Sequence, residues 1–224
     1  MMYTVVDQIR EELKRRMLTG DWGLGSRIFE EDIAAELNVS RSAVREAIRL
    51  LEQEGLIVRE AHRGLYVASP TDREAREVAH VRGVLEAEAV RLSPPPSVTL
   101  LDELDHIVRK LEAAEERIDR VAAAALDRSF HSLVVQSCEN DLLLRKFHEL
   151  DGQMAIFFHW SMAHKPEAIA GIAERHRALY QALTTSDAEV YASAVSKHYR
   201  NAIAMAQDLP ETTHAVRELA RRAT

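Results

Sequence analysis

The chain has little of what builds sheets, crosslinks or membrane spans. Aromatic residues make up 5% of its 224 positions, and there are only eight glycines and six prolines, which argues against a sheet-rich fold with its many turns. Cys138 is the single cysteine, so an intramolecular disulfide is excluded. No apolar run approaches the roughly 20 residues that cross a bilayer, and the N-terminus does not read as a charged-then-apolar secretory leader. A cytoplasmic protein with no membrane partner is the expectation. Excess positive charge is also missing. The net charge is -7, and residues 1–70 hold 10 Lys and Arg against 12 Asp and Glu, a net of -2. That excludes a protein that coats nucleic acid generally. Any contact with DNA must come from a local array of arginines and must be salt-sensitive.

Alanine, leucine, glutamate and arginine are abundant, and 46% of residues are hydrophobic, so the expected fold class is mainly α. The length suits a small module followed by a medium one. Val5, Val6, Ile9, Leu13 and Met17 recur at helical spacing, and Thr19-Gly20 breaks the pattern. Glu30 to Leu37 reads as a short helix, Asn38-Val39 as a turn, and Ser40 as the N-cap of a third helix with Val44, Ala47, Ile48 and Leu51 on one side. Two short β-type runs, Leu56-Ile57-Val58 and Leu65-Tyr66-Val67-Ala68, flank a Gly64-containing turn and read as a hairpin wing. The expected layout is a winged helix-turn-helix over 1–69, a helical domain over 70–208, and a tail over 209–224. Within the helical part, helices are expected near 98–116, 119–138, 140–163, 167–184 and 187–207, after a break at Pro94-Pro95-Pro96.

Arg41, Arg45 and Arg49 form a stripe on the outer face of the third helix, with Ser42 beside them. Arginines near the start of such a helix can reach guanine edges or phosphates in a major groove. Ser40 and Ser42 can donate to phosphate, and Arg63 with the backbone of Gly64 can contact DNA from the wing. Taken alone, the three arginines would read as a solvated face; the surrounding helix-turn-helix and wing favour DNA. Trp22 through Val67, with Val39-Ser40-Arg41, Val44-Arg45-Glu46-Ala47-Ile48, Glu54-Gly55-Leu56 and Arg63-Gly64, resembles the winged helix of the GntR family of bacterial transcription regulators. The resemblance implies a homodimer on palindromic operator DNA. Ser42-Ala43 departs from the common Thr-Pro of that motif, which bears on the operator sequence.

In the helical part, Asp127 and His131 share a helix face, His176 lies in the stripe Ile172, His176, Leu179, Leu183, and His198 in the stripe Ala194, His198, Asn201, Met205. A lone inward histidine is usually a satisfied core residue. Four inward polar groups on three helices fit better as a set, and a His3Asp group suits Zn, with Ni, Mn or Fe as alternatives. Arg82 falls in the stripe Val78, Arg82, Leu85, Ala89 and either binds a carboxylate or pairs with Glu86 four residues on. The segments around Asp127-Arg128-Ser129-Phe130-His131, Glu174-Arg175-His176 and His198 resemble the metal-binding pattern of the FCD effector domain of the FadR subfamily. The resemblance implies a helical bundle that binds a small organic acid at or beside the metal. The expected function is a ligand-responsive transcriptional repressor and not an enzyme. A metal-sensing regulator and a metal-dependent enzyme using the His3Asp site are the alternatives, along with a purely structural metal.

Overall fold

The computed structural model describes residues 4–69, 71–155, 158 and 169–205. The chain divides into two compact units, one within Met1–Thr71 and one within Asp72–Leu209. The expected tail lies outside the described residues, as do His159, His164 and His214, which the sequence pattern leaves as surface or packing residues.

In the first unit, α1 (Val5–Thr19) opens on a capping box in which Thr4 and Asp7 each satisfy the other's backbone N–H. It stops at Gly20, whose φ of 82° gives the left-handed cap that glycine adopts without strain. After β1 (Arg27–Ile28) and α2 (Glu30–Glu36), Leu37 closes the helix and Asn38 takes a φ of 52°, a conformation asparagine tolerates. That turn lets α3 (Arg41–Gln53) start from Ser40, whose hydroxyl accepts from the Ala43 N–H at 3.2 Å. Leu13 of α1, Ile33 of α2 and Val44, Ile48 and Leu51 of α3 are buried, so the apolar sides of all three helices share one core. Val5, part of the helical spacing in α1, is instead 54% exposed.

The hairpin forms from β2 (Ile57–Glu60) and β3 (Gly64–Val67), with Ile57 opposite Val67 and Glu60 opposite Gly64. β1 pairs with the other edge of β3, Arg27 opposite Tyr66, giving the order β1-β3-β2. A two-residue strand is too short to leave an alternation in the sequence. Gly64 has a φ of 120°, which favours glycine, and a Cβ there would lie 3.3 Å from Arg27 Nε, so the Arg27 side chain would have to give slightly.

The second unit contains α4 (Asp72–Leu92), α5 (Val98–Glu116), α6 (Arg120–Gln136), α7 (Asp141–Glu149), α8 (Ile172–Thr184) and α9 (Ala188–Met205). α4 packs against α9 and α6, and α5 against α6 and α8. Phe130, Val134, Leu104, Val108, Leu179 and Val195 fill the space between them. The helix expected over 140–163 is not continuous. α7 ends at Glu149, where Leu150 turns its N–H back to Phe147 and His148 carbonyls, and helical structure resumes over 151–155. The helix expected from 167 begins at Ile172, after Gly171 at a φ of 69°. On α9, Asn201 is exposed, and the buried face is Tyr191, Val195, His198 and Tyr199.

Leu51 is fully buried, so Leu51→Ala should cost about 2–5 kcal/mol in chemical denaturation of the first unit. Val5→Ala, at an exposed position, should stay within about 0.5 kcal/mol.

Candidate metal centre and nucleic-acid interface

Asp127 and His131 project from α6, His176 from α8 and His198 from α9, and one ligand atom from each lies within 4.8 Å of all the others. The three imidazoles are buried. Asp127 Oδ1 is 3.2 Å from His176 Nε2 and 3.9 Å from His131 Nε2, and His131 Nε2 is 3.2 Å from His198 Nε2. The sequence pattern thus picked out four residues that the fold does bring together.

The hydrogen bonds around them settle which nitrogens face inward. His131 Nδ1 lies 2.9 Å from both oxygens of Glu86, and His176 Nδ1 donates to the Ile172 carbonyl at 2.8 Å. Each ring therefore spends its N–H outward and turns an Nε2 lone pair toward the cluster. His176 Nε2 is buried without a hydrogen-bond partner of correct geometry, in spite of its proximity to Asp127. His131 and His198 face each other through Nε2 atoms, which repel unless a proton or a cation lies between them. Three neutral imidazole nitrogens and a carboxylate at these spacings fit a divalent ion.

Electrostatics support the ligand states of Asp127 and His198 and oppose that of His131. Burial opposes the charge on Asp127, but the surrounding imidazoles outweigh it and hold its carboxyl well below the usual range. Burial, reinforced by His176 and His131, pushes His198 far down, so it is neutral. Burial would also lower His131, but Glu86 outweighs this and raises it. Glu86 itself is driven down, against its burial, by His131 and by Tyr191.

Glu86 was not picked out by sequence as part of the site. It is fully buried and accepts from Tyr191 Oη at 2.6 Å and Tyr199 Oη at 2.9 Å as well as from His131. The pairing of Arg82 with Glu86 that the spacing allows is not what forms. Arg82 donates to Tyr199 Oη at 3.1 Å and to Asp151, and lies 4.0 Å above the Phe147 ring centroid. Arg82 does line the same cavity as the four cluster residues, along with Asp151, Arg175 and Tyr199. The sequence signal for Asp151 was hidden by reading 140–163 as one helix. Cys138 is buried beside Phe147 and Val135, a core residue.

In the first unit, the arginine stripe is exposed, and each member holds an acidic neighbour. Arg41 is 2.7 Å from Glu31, Arg45 is 3.3 Å from Glu30, and Arg49 is 2.7 Å from Glu46. Arg59 of β2, absent from the sequence reading, joins this surface through Glu52 at 2.9 Å. Exposed ion pairs of this kind contribute little stability, so phosphate can replace the carboxylates. Ser40 Oγ caps α3 and lies 3.0 Å from Ser42 Oγ, while Arg63 sits in the β2–β3 turn, 3.6 Å from Glu60.

A winged helix-turn-helix with arginines on the exposed face of its third helix is an architecture of DNA-binding proteins. Residues 5–67 match the model of bacterial regulatory proteins of the gntR family, and residues 77–201 match the FCD domain. The chain belongs to the GntR family and carries an FCD domain; it is a transcriptional regulator, not an enzyme. It is 30% identical to the Paenarthrobacter nicotinovorans protein named Probable D-xylose utilization operon transcriptional repressor, over 95% of this chain and 90% of that one. It is 27% identical to the Gluconate operon transcriptional repressor of Bacillus licheniformis, over 88% and 83%. Its fold resembles those of a GntR transcriptional regulator of Rhodococcus sp. RHA1 and of Escherichia coli McbR/YncC, each with a TM-score of 0.76, at 22% and 23% identity, over 92% of this chain and 98% of theirs. Among the described residues, no helix is long and apolar enough to cross a membrane.

Glu86→Gln removes the charge that orients His131 and should weaken divalent-metal binding about 10- to 100-fold in a chelator competition. The same assay has a pH signature. His131 carries a raised pKa in the metal-free fold, so its proton stabilises that form at low pH, and the benefit is lost as pH rises through the raised value. A metal must displace that proton, so log affinity should fall by up to about one per pH unit as pH drops below the raised value.

Proposed function

We propose that this protein is a ligand-responsive repressor that binds palindromic operator DNA as a homodimer and whose DNA affinity is set by a small organic acid bound at a metal in the FCD domain. The observation that carries the reading is the buried, unpartnered Nε2 of His176, aimed into a four-residue ligand cluster that shares its cavity with Arg82 and Arg175. Asp127, His131, His176 and His198 would hold the ion, zinc being the first expectation from the ligand set. A divalent ion there supplies a fixed positive charge to which a carboxylate binds. Arg82 supplies a second, bidentate contact for the acid, and Glu86 keeps His131 in the ligand tautomer. Among the relatives, the gluconate operon repressor carries an organic acid in its name, which is consistent with this effector class.

On the DNA side, Arg41 and Arg45 read or position, Ser40, Ser42 and Arg49 support phosphate contacts, and Arg63 with Gly64 contacts the duplex from the wing. Coupling requires the acid to bind the DNA-competent and DNA-incompetent states with different affinity.

Arg45→Ala should weaken operator binding about ten- to a hundredfold and lower the salt slope by about one, with metal content unchanged. His176→Ala should do the opposite, losing metal by elemental analysis and losing the response of DNA affinity to organic acids. Normal operator binding by Arg45→Ala would mean that another element reads the DNA.

A further inference from the structure

The cavity beside the cluster is small. Its free volume is about 40 Å³, far below the roughly 300–1,000 Å³ of an ordinary small-molecule site. Its most basic member is not open to a ligand either. Arg82 is 3% exposed, and its guanidinium is clamped between Tyr199 Oη, the Phe147 ring and the Asp151 carboxylate. Asp151 in turn accepts from His148 Nδ1 at 2.7 Å and is only 16% exposed. It is the first residue after the Leu150 break, at the start of the 151–155 helical stretch. A buried guanidinium without a counter-ion is strongly destabilising, so this carboxylate can leave only if another anion replaces it.

The geometry points to Asp151 as an internal carboxylate that occupies the effector's anion position on Arg82, so that an acid binds by exchanging with it. This deepens the effector reading above and rests on it. The exchange has two consequences. Affinity for the acid is lowered by the cost of removing Asp151, and neutral molecules are rejected because they would leave Arg82 unpaired. The exchange also breaks the ion pair that joins Asp151, at the start of the 151–155 stretch, to α4.

The test is calorimetric titration of acetate into metal-loaded, full-length wild type, Asp151→Asn, Asp151→Glu and the double variant Asp151→Asn with Arg82→Gln, in chloride-free buffer. Asp151→Asn should bind acetate at least tenfold more tightly than wild type, Asp151→Glu should return toward wild type, and the added Arg82→Gln should erase the gain, with equal metal content in all four. Equal affinity of Asp151→Asn and wild type, a gain that survives loss of Arg82, or no acetate binding by any variant would overturn the inference. Operator binding measured on the same samples separates it from the effector reading. A tighter acetate site with no change in DNA affinity would leave Asp151 in this role and remove control by acids.

Discussion

Everything in the second unit depends on a buried carboxylate that cannot be left alone. Glu86 sits on α4 with no solvent contact, and an isolated charge there would be prohibitively costly. It is satisfied by two tyrosines from α9 and one histidine from α6. These hydrogen bonds draw three helices to a single point and leave His131 with its free nitrogen turned inward. The inward aim of His131 Nε2 is therefore a by-product of satisfying a core charge. His176 is set in the same way, by a backbone carbonyl one turn earlier on its own helix.

Arg82 extends that network to its other side. It shares Tyr199 with Glu86 and takes Asp151 as its counter-ion, so two opposite buried charges, one turn apart on α4, are each satisfied by a different set of partners. The result is a cavity with fixed acids, fixed bases and little free space. Such a site is selective before any ligand arrives, because only a group that replaces both the charge and the hydrogen bonds of what it displaces can enter without penalty.

The first unit solves the opposite problem. Its arginines must be accessible, and they stand on the exposed face of α3 beside acidic residues of α2 and of α3 itself. In an acidic protein this local pairing keeps the surface near neutral. Proposed reading and proposed sensing thus use contrasting electrostatics, weak and exposed in one unit, strong and buried in the other.

The helices, the wing and the four cluster residues were legible in the sequence because each leaves a local trace. Val44, Ile48 and Leu51 recur at helical spacing, Ser40 caps, and Asp127 and His131 fall one turn apart on an inward face. What spacing could not show was choice among partners distant along the chain. Arg82 and Glu86 are four apart and look like a pair, yet the fold gives one to Asp151 and the other to His131 and the tyrosines. β1 exists only because β3 offers it an edge, and the break at Leu150 is marked in the sequence by nothing but Gly152, two residues on. Local periodicity showed most of the inward positions but misplaced Val5 and Asn201 and did not single out Glu86; only tertiary packing decided what each inward group meets, because a buried charge is satisfied by whichever group the fold places within reach.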